Sequence, residues 1–115
     1  MIWILTQVAI GGALGCVLRF LTVSAVGAPM GTVLVNVAGS LVMGALFILL
    51  GPRFSLLMLT GVLGGFTTFS AFSLDALKLY EAGQPAQALL YAAGTVLLSL
   101  FAVASGAALA RGALS

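Results

Sequence analysis

The sequence contains very few charged residues. Of its 115 residues, 5% are charged and 63% are hydrophobic, whereas soluble domains carry about 25% charged and about 45–50% apolar residues. The 4 Lys+Arg and 2 Asp+Glu residues are too few to cover the surface of a soluble protein of this size. The basic residues are scattered and form no patch for nucleic acid. The composition therefore argues against a soluble enzyme or a nucleic-acid-binding protein, and it indicates an integral membrane protein surrounded by lipid.

Cysteine and histidine are equally scarce. Cys16 is the only cysteine, so no disulfide bond can form within the chain. Because histidine is absent, the chain has no imidazole metal ligand, no histidine-based catalytic triad and no imidazole pH switch. The first residues, MIWILTQVAIGG, lack the basic region and the cleavage site of a signal peptide. We expect them to begin the first membrane span.

Turn signals divide the chain into four apolar segments. Each proline lies near a glycine, in Gly27-Ala28-Pro29, Gly51-Pro52-Arg53 and Gly83-Gln84-Pro85. The segments between them cover about 2–26, 30–50, 54–82 and 86–111. A helix needs about 20 residues to cross the hydrocarbon core, and helices satisfy their own backbone groups in lipid. The sequence predicts an all-α integral membrane protein, with residues 1–115 forming one domain of four transmembrane helices.

The basic residues do not fix an orientation in the membrane. With four spans, both termini lie on one side, which would hold Arg53 and Arg111. The other side would hold Lys78 and, near a helix end, Arg19. Because each side has two basic residues, the positive-inside rule predicts no orientation. Either the bias is too small to interpret, or the chain inserts in both orientations and forms an antiparallel dimer.

The third segment contains glycines followed by hydroxyl residues. Gly61, Gly64 and Gly65 each weaken a helix by about 1 kcal/mol relative to Ala, and the hydroxyls of Thr67 and Thr68 can bond to backbone groups. A helix break in the membrane is tolerated where it lines a wet cavity, and its free carbonyl oxygens suit Na⁺. The alternatives are a broken third helix and a straight helix packed through its glycines.

Polar residues recur every four positions on the second and fourth segments. One stripe contains Thr32, Asn36 and Ser40, and the other contains Tyr91, Thr95 and Ser99. Residues at this spacing share a helix face. An amide in lipid needs polar partners, so the stripes predict either hydrogen bonds between helices or a polar pathway. Most of their polar groups can donate hydrogen bonds, so a polar pathway lined by them would favour a small anion.

Three motifs resemble those of the Fluc (CrcB) fluoride channels. They are GGALGCVLRF at 11–20, GTVLVNVAGSLVMG at 31–44 and GVLGGFTTFSAFSLD at 61–75, in which the pattern GGxTTFSxFS is highly specific. The resemblance implies an antiparallel, dual-topology homodimer with two fluoride pores and one structural Na⁺ at its centre. It also implies that the dimer exports fluoride passively from the cytoplasm across the cell membrane.

The resemblance also implies roles for individual residues. The backbone carbonyls of Gly64 and Thr67 would hold the Na⁺. The pore would use a phenylalanine pair, an asparagine, a polar track on the fourth helix and a basic residue, which match Phe69, Phe72, Asn36, Tyr91, Thr95, Ser99 and Arg19. Ser70 would offer a further hydroxyl donor, and the positive edges of the rings would face the anion.

The chain departs from the family pattern at three positions. Ala71 stands where threonine or serine is frequent, Asp75 where glutamate is usual, and Thr95 where serine is frequent. Thr95 keeps the hydroxyl, whereas Ala71 loses one and Asp75 is shorter by one methylene. None of these changes breaks the core motif.

Two other classes of membrane protein are alternatives. A small multidrug resistance-type proton-coupled transporter shares the length, the four spans and the dual topology. It needs a carboxylate in its first helix, and the first segment here contains neither Asp nor Glu. A non-conducting subunit of a larger membrane complex agrees with the composition, but it would leave both polar stripes unexplained.

Overall fold

The computed structural model describes all residues, 1–115, and every regular element in it is helical. Four helical spans are long and apolar enough to cross a membrane, and they cover Ile2–Val26, Met30–Leu49, Pro52–Glu81 and Pro85–Leu114. Tight turns at the proline and glycine sites separate them. The structure confirms the predicted all-helical, multi-pass membrane protein.

The third span is broken. It begins with the α-helical turn Pro52–Ser55, continues as a π-helical segment, Leu56–Leu63, and closes its first half with the turn Gly64–Phe66. The chain then becomes extended at Thr67, with φ −86° and ψ 159°. The second half is the α-helix Ser70–Glu81. The broken third helix is confirmed, and the chain opens at Thr67, just after the glycines. The π-helical segment was not predicted.

Glycines let the first span pack closely on the first half of the third span. A Cβ atom built on Gly61 would lie 2.9 Å from the Cα of Gly11, and one built on Gly65 would lie 2.7 Å from the carbonyl oxygen of Gly12. A Cβ on Gly15 would overlap the carbonyl oxygen of Val62. Small residues allow such backbone contacts between membrane helices. The packing explains why the glycine-rich run remains helical despite its low intrinsic propensity.

The second and fourth spans run in the same direction and contact each other along their length. Toward their C-terminal ends, a Cβ on Gly44 would overlap the carbonyl oxygen of Val103, and one on Gly106 would overlap that of Leu41. Only 17 of the 115 residues are buried in the single chain. Most apolar side chains therefore face outward, where lipid or another protein surface covers them.

Candidate functional site

The side chain of Asn36 holds the break in the third span. Its Nδ2 donates to the main-chain carbonyl oxygen of Thr68 at 2.9 Å, and its Oδ1 accepts from the Thr68 N–H at 2.7 Å. Both bonds satisfy backbone groups that would otherwise be unpaired within the membrane, where an unpaired group is costly. Because Asn36 belongs to the second span, this pair fixes the break against that span.

The break leaves three carbonyl oxygens without a donor, those of Gly64, Phe66 and Thr67, and the resemblance assigns two of them, Gly64 and Thr67, to Na⁺. The carbonyl of Gly64 would accept from the Thr68 N–H, which donates to Asn36. The carbonyl of Thr67 would accept from the Ala71 N–H, which donates to the Thr68 hydroxyl at 3.2 Å. Unwound backbone carbonyls are typical ligands for Na⁺ in membrane proteins. The oxygens of Gly64 and Thr67 are therefore groups that could hold such an ion.

Arg19 contacts the same region from the first span. Its Nε donates to the carbonyl oxygen of Gly65 at 3.1 Å. The guanidinium therefore lies at the depth of the break. The sequence analysis had expected it near a helix end. Without Arg19, the basic residues near the ends of the spans are Arg53 and Arg111 on one side and Lys78 on the other. The bias in basic residues remains small.

A cavity of about 450 Å³ lies beside the break, between the second, third and fourth spans. Most of the residues predicted from the separate segments line it: Asn36, Gly64, Thr67, Phe69, Phe72, Thr95 and Ser99. Ser40 and Thr68 line it as well. The sequence analysis placed Ser40 on the polar stripe of the second segment but gave neither residue a role of its own. No charged side chain is part of its wall.

Thr95 and Ser99 present unused hydrogen-bond donors at this cavity. Both hydroxyl oxygens are buried, and neither has a hydrogen-bond partner in the protein. Other hydroxyls of the chain, such as those of Thr22 and Ser73, donate to the carbonyl one turn earlier. A buried polar group without a partner costs about 1–3 kcal/mol. The two hydroxyls are therefore available to a ligand that accepts hydrogen bonds.

Three aromatic rings form a row from the cavity toward the fourth span. The ring centroids of Phe69 and Phe72 are 5.6 Å apart, and those of Phe72 and Tyr91 are 5.2 Å apart, with the planes tilted by 47° and 41°. Phe72 is buried, whereas Phe69 is 75% exposed in the single chain. Tilted rings can offer their positive edges to an anion.

Asp75 connects three spans beside this row of rings. Its Oδ2 accepts hydrogen bonds from the hydroxyl of Thr32 at 2.7 Å and from that of Tyr91 at 3.2 Å. The Thr32 side chain is 1% exposed and Asp75 is 9% exposed. The sequence analysis noted all three residues but not their contact. The signal that could have shown it is that Thr32 and Tyr91 each begin one of the two polar stripes.

The remaining predicted residues lie outside the cavity. Tyr91 touches it only through the ring of Phe72, and Arg19 reaches the backbone behind it. Ser70 begins the second half of the third span and is exposed in the single chain. The structure thus gathers the asparagine, the phenylalanines and the fourth-span hydroxyls, while it places Ser70 apart from them.

Comparison with known proteins gives one consistent result. Residues 6–107 match the family described as CrcB-like protein, Camphor Resistance (CrcB). The chain is 50% identical to a protein named Fluoride-specific ion channel FluC from Cereibacter sphaeroides, covering 97% of this chain and 98% of that relative. Proteins of the same name from Paracoccus denitrificans and Rhizobium etli are 50% and 47% identical, covering 92% and 90% of this chain and 93% of each relative.

The family match covers most of the chain, and these relatives align with it over nearly their whole length. The three sequence motifs lie on the first, second and third of the four membrane spans, and the third motif contains the break. This chain belongs to the CrcB family of membrane proteins.

Proposed function

We propose that this chain is a fluoride-selective ion channel that conducts the anion passively through the cavity beside the break. One observation carries the proposal, namely that the buried hydroxyls of Thr95 and Ser99 have no partner in the protein and line this cavity. The names of the relatives support fluoride as the ion. The protein is a channel and not an enzyme.

The cavity suits an anion that must lose its water. Fluoride is small and strongly hydrated, so a pathway has to replace its water molecules with hydrogen-bond donors. The hydroxyls of Thr95 and Ser99 are such donors, and the edges of Phe69 and Phe72 add weak positive charge. Conduction requires binding that also permits release. A wall of neutral donors and ring edges, without a cationic side chain, meets that requirement.

We further propose that the functional unit is an antiparallel homodimer of dual topology, with one pathway for each subunit. Phe69 projects from the single chain with 75% of its surface exposed, so one subunit does not enclose the pathway. The small difference in basic residues near the ends of the spans, Arg53 and Arg111 against Lys78, favours insertion in both orientations.

The free carbonyls of Gly64 and Thr67 fit a Na⁺ ion shared by the two subunits. Two oxygens from one chain are too few to replace the water around the ion, and a two-fold axis would double their number. A bound Na⁺ would supply positive charge beside the break and would link the two subunits. The residues that position these carbonyls are Asn36 and Thr68, because their hydrogen bonds divert the donors of a continuous helix.

The direction of transport follows from the membrane potential. A passive pore in a cell membrane with a negative interior drives anions outward, with about 2.3 kcal/mol per charge for each 100 mV. Such a pore exports fluoride from the cytoplasm without a coupled ion.

The test is ion efflux from liposomes that contain the purified full-length chain. We expect rapid fluoride release, little chloride release and no need for a proton gradient. Release that requires a proton gradient would favour the transporter alternative. If folded, dimeric protein releases no fluoride, the proposal is wrong.

The dimer and its Na⁺ need a separate test. We expect the protein to be dimeric in detergent, and we expect the variant Ser115→Cys in a Cys16→Ala background to be labelled from both sides of the membrane. Replacing Na⁺ with N-methyl-D-glucamine should dissociate the dimer. Labelling from one side only would contradict dual topology, and a dimer indifferent to Na⁺ would contradict the shared ion.

A further inference from the structure

Ser40 lines the cavity but has no role in the account given so far. It lies four residues after Asn36 on the second span, so its side chain is on the same helix face and about 6 Å farther along the axis. The only second-span residues in the cavity wall are Asn36 and Ser40. Any hydrogen bond from the second span to an ion in the cavity must come from one of them.

Asn36 is already occupied by the backbone. Its Oδ1 and Nδ2 both bond to Thr68, which leaves one N–H of the amide. The Ser40 hydroxyl, in contrast, makes no hydrogen bond within the protein. Serine and threonine hydroxyls in helices commonly bond to the carbonyl one turn earlier, as those of Thr6, Ser55 and Ser73 do here. Ser40 therefore retains its donor on the cavity side of the second span.

The backbone around Ser40 is held in place on both sides. A Cβ on the preceding residue, Gly39, would overlap the Thr67 methyl group and lie 3.2 Å from the ring of Phe66. One turn later, Gly44 is packed against the carbonyl oxygen of Val103. The second span can thus move neither toward the break nor along the fourth span without new clashes. A donor on such a rigid element keeps its position when an ion arrives.

We propose that Ser40 is a fluoride-binding residue, whose hydroxyl donates to the anion in the cavity from the second span. Thr95 and Ser99 donate from the fourth span, and the rings of the third span complete the surroundings of the ion. The inference rests on the proposed channel function and extends it to a residue that the sequence motifs do not assign. It also gives Asn36 a different task, because that amide chiefly positions the break.

The first experiment compares fluoride efflux through the wild-type protein and through Ser40→Ala in liposomes. A hydrogen bond to a charged group contributes enough that its loss should slow efflux about tenfold or more. Ser73→Ala is the matched control, because the Ser73 hydroxyl is exposed and bonds to the carbonyl of Phe69. This control should conduct like the wild type. Equal efflux through Ser40→Ala and the wild type would overturn the assignment.

A second measurement separates a role in the pathway from a role in folding. In a Cys16→Ala background, Ser40→Cys should react with a small, negatively charged thiol reagent, and the reaction should block efflux. Fluoride present in excess should slow the reaction. A folded dimer whose introduced thiol resists the reagent would overturn the proposal, even if Ser40→Ala is slow. Absence of fluoride efflux from the wild type would instead refute the channel function, and the Ser40 role with it.

Discussion

Asn36 and the main chain of Thr68 exchange two hydrogen bonds, of 2.9 Å and 2.7 Å, across the gap between the second and third spans. This exchange satisfies the N–H and the carbonyl of Thr68, and it diverts the N–H that would otherwise cover the carbonyl of Gly64. The same contact therefore shapes the cavity and exposes an oxygen at the break. A residue that a motif would assign to ion binding is, in the structure, first a residue that supports the backbone.

Asn36→Ala should therefore impair both stability and conduction. The substitution leaves the N–H and the carbonyl of Thr68 without partners, and each unpaired group costs about 1–3 kcal/mol. We expect a lower melting temperature in detergent and fluoride efflux reduced by at least about tenfold. Asn36→Ala with wild-type stability would show that the contact with Thr68 does not hold the break.

Substitution by valine should affect the stability of the protein differently at two buried threonines. Thr32 donates to Asp75 at 2.7 Å, whereas the Thr95 hydroxyl has no partner. Thr32→Val leaves the Asp75 carboxylate short of a donor and should destabilise the protein by about 1–3 kcal/mol, while Thr95→Val should be neutral or stabilising. Thermal unfolding of both variants checks this. Equal destabilisation would mean that the Thr95 hydroxyl has a structural partner.

Gly44 should tolerate no side chain. Gly44→Ala places a methyl group on the carbonyl oxygen of Val103, and overpacking of this kind costs about 1–3 kcal/mol. The matched control is Gly94→Ala in the fourth span, where no atom lies within 4 Å of the added methyl group. The control should be neutral or more stable, since alanine favours the helix. Gly44→Ala with the stability of this control would contradict the close packing of the second and fourth spans.

Alanine substitutions of Phe69 and Phe72 should differ in their effect on stability, although both should slow fluoride conduction. Phe72 is 7% exposed and packs on Tyr91, so Phe72→Ala should lower the stability by about 3–5 kcal/mol. Phe69 is 75% exposed, so Phe69→Ala should change the stability of the subunit little. Both variants should conduct fluoride more slowly, as measured in liposomes. Wild-type efflux through Phe69→Ala would remove that ring from the pathway.

The membrane spans could be predicted from the sequence because their signals are local. Proline beside glycine marks each turn, and the length of the apolar segments shows that each can cross the membrane. The position of the break was harder to predict from the sequence. The glycines and the hydroxyls after them agreed with either a break or a straight helix. In the structure Gly61 and Gly65 pack against the first span and stay helical, while the chain opens at Thr67.

The contacts that build the site could not be predicted, since they join distant parts of the chain. Asn36 and Thr68 are 32 residues apart, and Arg19 and Gly65 are 46 residues apart. The polar stripes show which helix face carries Asn36 and Thr95, but not which groups the fold will satisfy. Tertiary packing decides that the amide of Asn36 is used by the backbone and that the hydroxyl of Thr95 is left free.

The most direct test of the central claim is fluoride efflux through the variant that carries both Thr95→Val and Ser99→Ala. These changes remove the two unpartnered hydroxyls and leave every hydrogen bond of the fold in place. The account predicts a stable dimer whose fluoride efflux is at least about tenfold slower than that of the wild type. Ser105→Ala, on the same span but outside the cavity, should conduct normally. Wild-type efflux through the double variant would contradict a pathway through this cavity.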